Sequence, residues 1–213
     1  GSAQGNIVSP VLANIYMHYV LVNWYKVIVE KKAKGATFLV VYADDFITGF
    51  QYKSEAEAYY KALEKRMNKF GLELESSKSR LLAFGRFAEN DRKQKGLGKP
   101  ETFDFLGFTF YCSKTRNGKF CVNMKTSRKK FKQKVKAMKL WLYENRDVKT
   151  KDLVKALNRK LLGHYHYYGV SNNGRMMYKT KLEEDYITRN LLSVHERLPF
   201  DKDGVTYRQL SLF

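Results

Sequence analysis

Cysteine is scarce, acid is outnumbered and long apolar runs are missing from this 213-residue sequence, and each shortage closes off a class of protein. Only Cys112 and Cys121 are present, which argues against a disulfide framework and for a reducing compartment. The two flank Asn117-Gly118, a favoured hairpin turn, and a two-residue turn there sets them diagonally rather than opposite one another. A zinc site would need two more ligands, and His164 and His166 are remote and poorly spaced, so both thiols are expected to be structural. No apolar run approaches the ~18 residues of a membrane span, and no signal peptide is visible, so a cytoplasmic protein without a membrane partner is expected. Disorder is excluded by 44% hydrophobic and 15% aromatic content. The length suits one large domain or two small ones.

The shortage of acid says most about partners. Lys and Arg number 40 against 21 Asp and Glu, a net charge of +19 whose field favours polyanions such as nucleic acid. The excess is uneven: 16 basic against 12 acidic residues over 1–110, and 24 against 9 over 111–213. Neither solubility nor folding requires such an imbalance, so the C-terminal part is where a phosphate backbone is expected.

Residues from Pro10 to about Lys32 have the pattern of a long helix, with Ser9 as cap and Leu12, Ile15, Tyr16, Tyr19 and Val20 at helical spacing. Thr37–Tyr42 and Phe46–Gln51 make a hairpin with Asp44 and Asp45 at its tip. Ser54 to Phe70 is an amphipathic helix with Ala58, Leu63 and Met67 among its apolar positions, closed by Gly71. Short strands are expected near 72–75 and 80–84, and a charged loop over 88–100. Phe103–Phe110 and Lys119–Val122 have strand character, and 126–144, 150–168 and 175–197 are helical in pattern. The fold class is therefore α+β: an antiparallel sheet with packed helices over 1–125, then an all-α part over 126–213.

Two adjacent aspartates on a tight turn between apolar strands repel each other with no local basic partner. A divalent cation relieves that repulsion, and magnesium, or manganese in its place, prefers carboxylate oxygens shared with substrate phosphates, as in two-metal phosphoryl transfer. Taken alone, the pair is more simply a turn signal.

It is not alone. Tyr42-Ala43-Asp44-Asp45 resembles the Tyr-Ala-Asp-Asp box of reverse transcriptases, and Gly1 to Tyr16, with Gln4-Gly5, resembles their Pro-Gln-Gly motif and its helix, with Ala3 in place of the usual proline. Gly71 to Arg80, with Lys78, and Phe103 to Phe110, with Leu106-Gly107-Phe108, are similar to the lysine segment and the primer grip that follow in that family. Lys125–Lys130 and Leu157–Gly169 resemble the thumb, or maturase, region of bacterial group II intron proteins; the likeness fades over the last ~15 residues.

The resemblance implies a partial palm followed by a helical thumb in an RNA-directed DNA polymerase that extends a DNA primer on an RNA template with deoxynucleoside triphosphates. Asp44 would bind magnesium directly and Asp45 more peripherally; Gln4, Gly5, Tyr42 and Ala43 would line the nucleotide pocket, and Lys78 would assist the leaving pyrophosphate. Arg128, Lys129, Lys130, Lys134, Arg159, Lys160 and Tyr165 would hold template, primer or intron RNA. A further metal-binding aspartate is expected on a strand upstream of Gly1, as are the fingers, so the chain alone is expected not to polymerise. The rival reading is a non-catalytic RNA-binding maturase. The sequence is silent on oligomeric state.

Overall fold

The first helix is wound in two ways. In the computed structural model, which describes residues 8–195, α1 (Val8–Met17) runs without a break into π-type turns over His18–Asn23 and Tyr25–Val29 and ends in α2 (Glu30–Lys32). Ser9, expected as a cap, already lies inside the helix. π-type winding widens the turn and changes which side chains share a face. Val20, Leu21 and Tyr25 are buried, whereas the expected face residues Leu12, Ile15, Tyr16 and Tyr19 remain 43–63% exposed.

The hairpin is as expected: β1 (Thr37–Tyr42) pairs with β2 (Asp45–Phe50) antiparallel, from Thr37↔Phe50 to Tyr42↔Asp45. Its alternation sends Leu39, Val41, Phe46 and Phe50 towards α3 (Lys53–Lys69) and the first helix. Tyr59 is the hub of that core. It stacks on Trp24 at 5.7 Å, meets Tyr25 and Phe50 edge-on or tilted, and accepts from the Thr48 hydroxyl at 3.2 Å. Burial pushes its own hydroxyl up to about 12. Arg66 reaches from α3 to the carbonyls of Val20 and Tyr19 at 2.5 and 3.3 Å, with its guanidinium over Trp24 and Phe70. Ala58, expected to face inward, is exposed, because Tyr59, Leu63 and Met67 set the phase. The helix closes as expected at Gly71, φ 67, with Leu72 N–H donating to Met67 O at 2.9 Å, a Schellman arrangement.

The strands expected near 72–75 and 80–84 are absent among the described residues. Leu72 and Leu74 do point inward alternately, but a strand needs a hydrogen-bonded neighbour and none lies beside them. The expected charged loop contains α4 (Ala88–Gln94). Acids in its first turn and bases in its last complement the helix dipole, and Leu97 N–H closes it onto Arg92 O at 2.8 Å.

β3 (Phe103–Phe105), β4 (Phe108–Lys114) and β5 (Phe120–Thr126) form a three-stranded antiparallel sheet. What reads as one strand over Phe103–Phe110 is two, joined by a turn at Leu106-Gly107. The next turn is wider than two residues: Lys114 pairs with Phe120, and Ser113 with Cys121. Cys112 and Cys121 therefore lie on opposite faces of the sheet, both free.

Ser127 caps α5 (Arg128–Glu144) by accepting from Lys130 N–H at 3.3 Å; α6 (Thr150–Tyr168) and α7 (Gly174–His195) follow. Leu142, Leu153, Leu157 and Ile187 make the core of these helices. The chain divides into two compact units after Ala83, not near Thr126. The three-stranded sheet belongs with the helices, and the buried β5–α5 joint, Thr126-Ser127, is bonded through Thr126 to Asn173 of the α6–α7 loop.

Candidate metal-binding turn and nucleic-acid interface

Closing a hairpin with Ala43 and Asp44 requires a left-handed residue, and Ala43 takes φ 53. That conformation costs a non-glycine residue roughly 1–2 kcal/mol, and such strain is concentrated where geometry serves a site. Asp44 occupies the apex, while Asp45 is fixed by its pairing with Tyr42 on the outer face of the hairpin. Tyr42, Ala43, Asp44 and Asp45 are all exposed, and among the described residues neither carboxylate meets a basic side chain or a hydrogen-bond donor.

Two hard oxygen ligands side by side fit magnesium or manganese held jointly with substrate phosphates and water, not an all-protein cage. No group of three or more metal-ligating acids, histidines or cysteines occurs among the described residues. Lys78 projects from a turn in which its own N–H and that of Ser79 donate to Glu75 O at 3.0 and 2.8 Å. Hydrogen bonds from Ser77 and, next, the charge of Lys78 hold the Glu75 carboxyl below its ordinary value. Gln4 and Gly5 lie outside the described residues.

In the second unit the expected cations are all exposed, but they do not share one surface. Arg128 joins Lys132, Lys136 and Lys139 on one side of α5, which with Phe131, Val135 and Lys179 and Glu183 of α7 lines an open groove of about 450 Å³. Lys129, Lys130 and Lys134 fall outside it. The signal for the missed row was available, since 128, 132, 136 and 139 recur at helical spacing. Lys160 lies over the Trp141 ring at 4.8 Å, Arg159 points to solvent, and Tyr165 is half-buried against His164. His164 is itself buried with Nε2 unpartnered; burial, then the nearby Lys134 charge, lowers its pKa, so the neutral ring is favoured.

The expected grip residues Leu106, Gly107 and Phe108 sit at the β3–β4 turn, where both Leu106 and Gly107 are left-handed, φ 49 and 80. Asn173, which no motif flagged, is fully buried behind it; its side chain accepts from Thr126 N–H and donates to Thr126 Oγ1 and Tyr168 O, each at 2.8 Å.

An acidic, strained hairpin tip in one unit and a basic, grooved helical surface in the other belong to an α+β fold. The family comparison makes the class specific. The family model described as reverse transcriptase (RNA-dependent DNA polymerase) matches residues 1–110, and the chain belongs to that family. No curated protein matches the chain, and no solved structure matches it.

Proposed function

We propose that the chain is the catalytic palm portion and thumb of a group II intron-type reverse transcriptase, which also binds intron RNA and assists its splicing. The observation that carries the reading is the unpartnered Asp44-Asp45 pair on a strained two-residue turn within the family's Tyr-Ala-Asp-Asp box. In the reaction the primer 3′ oxygen bonds to the α-phosphorus of the incoming deoxynucleotide, the bond to the β-phosphate bridge breaks, and pyrophosphate leaves. Magnesium, when bound, supplies charge neutralisation and a more acidic primer hydroxyl. Asp44 would hold that ion directly and Asp45 would support it from a more peripheral position; Tyr42 and Ala43, with Gln4 and Gly5, would bound the nucleotide, and Lys78 would stabilise or protonate the pyrophosphate. The protein works in the cytoplasm.

A second reading, a non-catalytic RNA-binding maturase, is favoured by the basic groove, which needs no metal to act. Primer extension on an RNA template decides between them. The full-length protein is expected to extend a primer with deoxynucleotides only when magnesium or manganese is present. Tight RNA binding without any extension would leave the maturase reading standing and remove the polymerase one.

A further inference from the structure

The β3–β4 turn is held from outside its own hairpin to a degree that a surface turn does not need. Its two carbonyls are both taken: Leu106 O accepts from Tyr167 Oη at 2.9 Å, and Gly107 O accepts from Ser127 N–H, also at 2.9 Å. Tyr168 closes over the same turn so tightly that a Cβ at Gly107 would lie 2.6 Å from its hydroxyl. Behind the tyrosines, Asn173 ties the end of α6 to the β5–α5 joint, so turn, joint and helix end form one bonded block.

Core filling does not explain Tyr167. It is 52% exposed, its ring lies parallel to that of the buried Phe108 at 5.8 Å, and its hydroxyl is directed to the carbonyl of a bulky residue in the left-handed region. The hydroxyl therefore fixes the conformation of the turn rather than sealing apolar volume. A turn fixed this firmly beside a basic helical surface is suited to contact a ligand whose position matters to within a hydrogen bond.

We infer that Tyr167 and Tyr168 are positioning residues that lock the Leu106-Gly107 turn so that it seats the recessed 3′ end of a nucleic-acid duplex. This deepens the polymerase reading and rests on it. The tyrosines act through the turn and need not touch the primer. The end of α6 and the grip turn thus move as one body: whatever displaces the helix end also spoils the seat.

The test uses the whole chain and two labelled probes in fluorescence anisotropy at low salt: an RNA–DNA duplex with a recessed DNA 3′ end, and single-stranded RNA of the same length. Tyr167→Phe is expected to weaken duplex binding roughly three- to tenfold, the size of one lost hydrogen bond, and to leave single-strand binding unchanged. Gly107→Ala is expected to weaken the duplex complex further. Adding Tyr168→Phe should restore part of that loss, because the nearest remaining ring atom would sit 3.5 Å from the new methyl, an ordinary contact. Thermal melting verifies that each variant folds. Equal losses on both probes, no loss on either, or no relief in the double variant would overturn the inference. Primer extension by the full-length protein is read separately: its failure removes the polymerase reading, whereas the clamp stands or falls on the choice between probes.

Discussion

The two units solve opposite surface problems. Through Ala83 there are 11 basic and 8 acidic residues, and the unit exposes apolar side chains: Val8, Val11, Leu12 and Ile15 along α1, and Phe38, Val40 and Tyr42 on the outer face of β1. Among the described residues its sheet has two strands. From Phe84 onward there are 29 basic and 13 acidic residues, and the helices bury a core of leucine and isoleucine under a cationic surface. A nearly charge-balanced unit with an acidic hairpin tip suits metal-assisted chemistry, and long-range attraction of a polyanion suits the cationic one. Catalysis and affinity should therefore be separable by mutation.

The largest expected effect on binding comes from the groove of the second unit. Replacing Arg128, Lys132, Lys136 and Lys139 together by Gln is expected to weaken RNA binding by up to about a thousandfold near ~0.1 M salt, and to flatten the log–log salt slope by roughly 0.7–0.9 per lost contact. Sequence preference should barely change, because phosphate contacts position rather than specify. The triple replacement of Lys129, Lys130 and Lys134, outside the groove, should cost far less; a titration of both variants across salt concentrations compares them. Equal losses would mean that the groove has no special part in binding.

Stability should differ between the units as well. Leu157→Ala removes a side chain 4% exposed in the helical core and is expected to cost about 2–5 kcal/mol. Leu12→Ala, at a position 53% exposed, should change stability by no more than ~0.5 kcal/mol. Urea unfolding of the two variants checks the contrast.

The smallest effect is a pH dependence confined to the second unit. Because the folded-state pKa of His164 is lowered, the unfolded chain binds its proton first as pH falls. The stability that the neutral ring contributes is complete above the ordinary value of 6.5 and is lost as pH falls below it towards the folded pKa. Carboxylates titrate lower, so a decline in the urea midpoint as pH falls below about 6.5, before the carboxylate range, should be visible, and His164→Phe should reduce it.

Much of this architecture was readable in the residues, and the failures have physical causes. The hairpin, the Gly71 stop and the three long helices were legible because period, cap and breaker agree at each of them. So was the acidic tip, because the surrounding Tyr42-Ala43-Asp44-Asp45 box, rather than the two charges alone, marks it. The helix at Ala88–Gln94 was hidden by its charge: a loop and a solvated one-turn-plus helix have the same composition. Of the face expected on the first helix, Val20 is buried, joined by Leu21 and Tyr25 in turns wound wider than a helical period anticipates, whereas Leu12 and Ile15 stay exposed. Asn173 and the tyrosine clamp escaped notice because their partners are 47 and 61 residues away, and long-range hydrogen bonds leave no local pattern. The domain boundary was misplaced for the same reason, since the joint at Thr126 is a break in secondary structure but not in packing.

The separation of chemistry from affinity is tested most directly by measuring single-turnover primer extension and RNA affinity side by side for Asp44→Ala in the full-length protein. Losing a metal-binding carboxylate is expected to slow extension by about a thousandfold or more, with the RNA dissociation constant within about twofold of wild type. Extension at a near-normal rate would contradict the assignment of the hairpin tip, and a parallel collapse of RNA affinity would contradict the division of labour between the two units.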